Sequence, residues 1–94
     1  MAKTFVDHEQ IKKEMVSRLK KIEGQVRGVT KMIQEGRGCG EVVIQLGAIK
    51  AAVNKVGFTV LACYLAGSIE EELKEHGDMN QVLDDFMTTL KKFS

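Results

Sequence analysis

The residues with most chemistry to offer are the chain's two thiols, Cys39 and Cys63. Two cysteines in a reducing compartment do not form a disulfide framework; they pack, ligate a metal or react. Cys39 stands in GRGCG, residues 36–40, two residues from Arg37 and at an expected helix start. The outward N–H groups of such a turn and the nearby guanidinium both favour a thiolate. Cys63 lies in VLACYLAG, residues 60–67, an apolar stretch in which a thiol behaves as a small hydrophobe.

The element that positions both is a long helix. Its apolar seam runs Val42, Leu46, Ile49, Val53, Val56, Val60, and a step of three beyond either end falls on Cys39 and Cys63. Over 24 positions a rise of 1.5 Å per residue separates them by roughly 36 Å, too far for a shared metal or disulfide. Antiparallel pairing of two copies along the seam would bring Cys39 of one toward the Cys63 region of the other. That makes two equivalent sites at the ends of a two-fold dimer. Around residues 56–66 the same helix is apolar on nearly every face, which calls for more neighbouring helices than one 94-residue chain supplies.

A first helix precedes it, capped by Asp7, with an apolar seam at Met15, Leu19, Ile22, Val26, Val29 and Ile33. Gly36, Gly38 and Gly40 end that helix through their backbone entropy. The second helix runs on through IEEELKEH to stop at Gly77. Asp78 and Gln81 then form the capping pair of a third helix that buries Val82, Leu83, Phe86, Met87 and Leu90. The expected fold is all-α, with three helices, a very long middle one, and no strands, repeats or linkers. No tight helix-turn-helix is present. No apolar run reads as a membrane span and no leader pattern stands at the N-terminus, so a cytoplasmic protein is expected.

The formal charge of +1 conceals an asymmetry. Residues 10–37 carry eight basic side chains against three acidic ones, whereas residues 38–94 carry five against eight. The first helix thus has a positive field, which a phosphate backbone would use. The chemistry of an enzyme is missing from the pattern. No histidine lies near either cysteine in sequence, no phosphate-cradling glycine loop follows a strand, and Glu70, Glu71, Glu72 and Glu75 read as a solvated face.

Two segments, RLKKIEGQVRGVTKMIQEGRGC at residues 18–39 and QLGAIKAAVN at 45–54, carry a family likeness. The chain resembles, from about residue 11 to 92, the copper-sensitive operon repressor family of small helical bacterial repressors, which includes nickel/cobalt and formaldehyde sensors. The resemblance implies a single repressor domain over 1–94, with 1–6 flexible. It also implies a three-helix protomer, an antiparallel dimer and a dimer-of-dimers homotetramer on double-stranded operator DNA, with no membrane partner. Cys39 matches the shared cysteine at the start of the second helix. Arg18 and Lys21 match basic positions of operator contact, with Lys20 beside them, and Lys55 falls where another basic residue is frequent.

The departure lies at the sensing positions. Where copper sensors of the family carry a histidine and a second cysteine, this chain has Tyr64 and Ser68, neither a good ligand for a soft metal. The ligand position used by nickel/cobalt sensors falls near Asp7 and His8, so a hard or borderline site would draw on His8, Asp7 and Cys39. Cu(I) would instead take Cys39 and Cys63 from different subunits; His8, Cys39 and Cys63 are thus the candidate metal ligands. The function expected is that of a DNA-binding repressor, without a required cofactor, released by an inducer at Cys39. A reactive sulfur species or another thiol-reactive compound is favoured as inducer, with Cys63, Tyr64 and Ser68 completing the sensing region. The alternative is Cu(I) or another transition metal. An alternative of another class is a helical oligomerisation or adaptor module that binds no DNA, with IEEELKEH as its face.

Overall fold

A computed structural model describes residues 9–75 and 77–94. The described residues form three helices, α1 (Glu9–Gln34), α2 (Cys39–Glu75) and α3 (Met79–Phe93), with no strand among them. The all-α fold with a very long middle helix, 37 residues, is therefore present as expected. The expected Asp7 cap, the flexible segment 1–6 and His8 fall outside the described residues.

The turn between α1 and α2 is closed by Gly36, whose φ of 75° lies in the left-handed region that side chains disfavour. Around it the Arg37 N–H donates to the Met32 carbonyl at 2.9 Å and the Gly36 N–H to the Ile33 carbonyl at 3.1 Å. This pair of bonds satisfies carbonyls that the helix end leaves open. Gly40, expected to help end the first helix, is instead the second residue of α2. One glycine with positive φ is enough to stop α1, and a glycine in the first turn of α2 costs little.

Residues 13–56 make one compact unit and the described residues of 57–94, with 9–12, another. In the first, Met15, Ile22, Val29 and Val56 are buried. The α1 seam expected from the sequence is thus split: Met15, Ile22 and Val29, seven apart, face inward, while Leu19, Val26 and Ile33 are 49%, 48% and 61% exposed. A single chain covers only one side of an a/d stripe, because the other side has no helix to meet. The α2 seam behaves likewise, with Leu46, Val53 and Val60 exposed.

In the second unit Leu61, Gly67, Ser68 and Val82 are buried. Phe93 stacks edge-on against Phe58 with ring centroids 5.7 Å apart. The Phe93 ring also lies where a side chain on Gly57 would be, so the missing Cβ is what admits it. Asp78 caps α3, accepting from the Asn80 N–H at 2.9 Å. Gln81 does not complete the expected capping pair; its side chain donates to Asp85 at 3.0 Å, one turn onward. Leu83 and Met87, expected inside, are about half exposed at 53% and 49%. They lie on the face of α3 away from Val82, which no described element covers.

By length and composition α2 is apolar enough to cross a membrane, contrary to the expectation from the sequence. An unbroken apolar run is absent, but α2 holds a long apolar stretch with few charges, only 11% of which is buried within the chain. A helix destined for the core of an assembly of several chains has the same composition.

Candidate functional site

Three of the four basic residues expected to contact DNA line one open groove of about 580 Å³. Arg18 and Lys21 project from α1, three residues apart and so on one helix face. Lys55 comes from α2, and Ile22, Ala51 and Ala52 supply the apolar lining. The small side chains at 51 and 52 leave space between the two helices, which is why the charges border an opening. Lys20 lies just outside, on a neighbouring depression with Lys13, Val16, Ser17 and Lys21.

Ser17, Gln25 and Glu14 complete the groove, and the sequence reading did not single them out. Glu14 is the acid among these lining residues. Its Oε1 accepts from Arg18 Nη2 at 3.3 Å, a pair one helical turn apart whose side chains are 54% and 40% exposed. The i,i+4 order of acid before base was the sequence signal for it. Arg18 Nε, by contrast, is buried without a hydrogen-bond partner. The groove therefore holds a guanidinium that is satisfied at one nitrogen and unsatisfied at the next.

Cys39 is the first residue of α2 and is exposed. It borders an apolar depression of about 450 Å³ with Ile33, Arg37, Val42 and Val43. The Arg37 charge expected to act on the thiol is engaged elsewhere. Its Nη2 donates to Glu41 Oε1 at 3.0 Å and its Nε to Oε2 at 3.4 Å. The hydrogen bond and charge of Arg37, with help from the Gly38 N–H, hold the Glu41 carboxyl below its ordinary value, and Glu41 raises the Arg37 guanidinium. A carboxylate thus already sits at the positive end of α2.

Cys63 and Tyr64 are half-buried in the second half of α2. Ser68 is 4% exposed, and its Oγ is buried without a hydrogen-bond partner. No group of three or more His, Cys, Asp and Glu able to hold a metal occurs among the described residues. Cys39 and Cys63 are the described thiols, donors suited to a soft cation, whereas Tyr64 and Ser68 present oxygen, which suits harder ions. The structure thus gathers Arg18, Lys21 and Lys55, leaves Lys20 beside them, and does not assemble the expected sensing residues into a metal cluster within one chain.

Residues 11–92 match the family of metal-sensitive transcriptional repressors. The chain is 32% identical over 83 residues to the copper-sensing transcriptional repressor CsoR of Bacillus subtilis strain 168, covering 88% of this chain and 81% of that one. Among solved structures it resembles the copper-sensing repressor CsoR with Cu(I) from Geobacillus thermodenitrificans NG80-2. That likeness has a TM-score of 0.77 at 36% identity, over 92% of this chain and 88% of the other. The nickel-responsive transcriptional regulator InrS gives a TM-score of 0.76 at 34% identity, over 87% and 91%.

Proposed function

The chain belongs to the family of metal-sensitive transcriptional repressors, and from that premise we propose a single-domain repressor that releases its operator DNA when a thiophilic transition metal binds at Cys39. The observation that carries the DNA half is the groove that gathers Arg18, Lys21 and Lys55, with Lys20 at its edge. Cations set around one opening read a duplex through its phosphates, so affinity falls steeply as salt rises. The protein acts in the cytoplasm as a homodimer that pairs into a tetramer. The exposed apolar residues of α1 and α2, Leu19, Val26, Ile33, Leu46 and Val53 among them, support that assembly.

For the inducer, the similarity to copper-sensing and nickel-responsive proteins favours a metal, with Cu(I) first because the described donors are thiols. Two-coordinate thiolate ligation needs Cys39 from one copy and Cys63 from a second, antiparallel along α2. A second reading, a reactive sulfur species acting on the same thiols, draws on Tyr64 and Ser68. These stand where soft ligands would complete a copper site, and Ser68 is buried.

The deciding experiment follows fluorescence anisotropy of a duplex taken from the DNA preceding the protein's own coding sequence. The wild type binds and is released by Cu(I); Cys39→Ala binds equally and is not released. A normal response from Cys39→Ala removes the sensing role. Intact-mass analysis separates the inducers, since a stoichiometric metal that survives buffer exchange supports the first reading. Added sulfur atoms or a cross-linked dimer after polysulfide treatment support the second.

A further inference from the structure

We propose that Glu14 is a built-in competitor for the phosphate that the Arg18 groove takes, and that it thereby sets the strength of DNA binding; the inference rests on the DNA-binding reading above. A guanidinium grips an oxyanion best side-on, through Nε and the Nη that shares its edge, in two parallel hydrogen bonds. In Arg18 that edge is Nε and Nη2. Nη2 donates to Glu14 at 3.3 Å, while Nε is buried in the groove with no partner. On that edge Nη2 is therefore taken by an intramolecular carboxylate, and Nε is closed off from solvent without a partner.

A phosphate that pairs with Arg18 along this edge must draw Nε out of its burial and displace Glu14 from Nη2. The structure makes that displacement easy. The Glu14 contact is long for a charge-assisted bond, it is a single prong, and both side chains are well exposed at 54% and 40%. An exposed pair of this kind stabilises a helix only slightly, so exchange for a phosphate flanked by Lys21 and Lys55 is downhill. The carboxylate has a second effect, because once displaced it stays on the rim of the groove and repels the incoming phosphate. Glu14 thus keeps Arg18 oriented in the free protein and weakens its hold on DNA.

The test compares full-length wild type with Glu14→Gln, Glu23→Gln and Arg18→Gln by anisotropy, using the duplex described above and a scrambled duplex, at low salt. Glu23→Gln makes the same charge change on α1 but outside the groove. The expected result is that Glu14→Gln tightens both duplexes about threefold, that Glu23→Gln changes them far less, and that the gain vanishes when Arg18→Gln is also present. An equal gain from Glu23→Gln, or a gain that survives without Arg18, overturns the proposal.

A second measurement uses inorganic pyrophosphate and the Arg18 Nε–H resonance. That resonance should shift at a lower pyrophosphate concentration in Glu14→Gln than in the wild type, and identical titrations overturn the proposal. Failure of every variant to bind duplex DNA, with the pyrophosphate difference intact, removes the DNA-binding reading and leaves the competition standing.

Discussion

Among the described residues, the half of the chain from Lys13 to Val56 and the half from Gly57 to Ser94 each bury one polar side-chain atom without a partner, and the two settings are opposite. Arg18 Nε belongs to a side chain that is still 40% exposed, on a groove bordered by two lysines. Ser68 Oγ belongs to a residue that is 4% exposed. A turn of the part-exposed Arg18 side chain brings the first within reach of a ligand, whereas nothing reaches the second unless its surroundings move or another chain covers it differently. An unsatisfied donor on a part-exposed side chain beside a cationic groove can turn to meet an anion. An unsatisfied hydroxyl in closed packing is a standing cost of desolvation.

The largest expected effect tests what holds the open half together. Its inward line on α1 is Met15, Ile22 and Val29, and Met15 is 5% exposed. Met15→Ala should cost about 2–5 kcal/mol in denaturant unfolding. Leu19→Ala, on the outward line at 49% exposure, should behave differently. Its loss should depend on protein concentration, because the leucine is covered only when chains associate. If both variants lose stability independently of concentration, the division of the α1 seam into an internal and an intersubunit line fails.

The closed half is tested next by Gly57→Ala. The added methyl group overlaps the Phe93 ring, which must leave its place against Phe58. A loss of about 1–3 kcal/mol is expected, with the Phe93 ring resonances moving toward those of an exposed phenylalanine. A smaller effect of opposite sign belongs to Ser68→Ala. It removes the partnerless hydroxyl and should stabilise the fold by about 1 kcal/mol in thermal or denaturant melts. Destabilisation instead would give Ser68 Oγ a partner in the assembled protein and so erase the contrast with Arg18.

The open half was the more legible of the two in sequence. Periodicity located all three helices, and the excess of basic residues on the first helix, with the family's basic positions, led to Arg18, Lys21 and Lys55. Those residues meet because they lie on helical faces that two apolar seams bring together, and seams are what a period of 3.6 reveals. Glu14 was passed over because its role depends on which nitrogen of Arg18 it occupies, a matter of rotamers. The closed half was read less well. Leu83 and Met87 have the spacing of core residues but face outward, since periodicity shows that a face is apolar and not what covers it. Gly57 gave no signal, because its role is to make room for a ring 36 residues later in the chain. The sensing residues fall between these cases. Cys39 was placed correctly at the start of α2, but its expected electrostatic helper, Arg37, is paired with Glu41.

That pair yields the smallest and most local prediction in the open half. Arg37, by hydrogen bond first and by charge second, holds the Glu41 carboxyl below its ordinary value. A folded-state pKa lower than the unfolded one contributes stability that is present above the unfolded carboxylate pKa. That contribution is lost as pH falls through the lowered folded value. Both side chains are well exposed, so the consequence is local fraying of the first turn of α2 at acid pH, with the rest of the fold intact. Carboxyl carbon NMR should show Glu41 titrating below the ordinary carboxylate midpoint in the wild type and returning toward it in Arg37→Gln. The Val42 amide, which donates to the Gly38 carbonyl at 3.2 Å, should lose protection together with that titration. If Arg37→Gln leaves the Glu41 midpoint where it was, the carboxylate is held by the helix start alone, and Arg37 is again available to the thiol of Cys39.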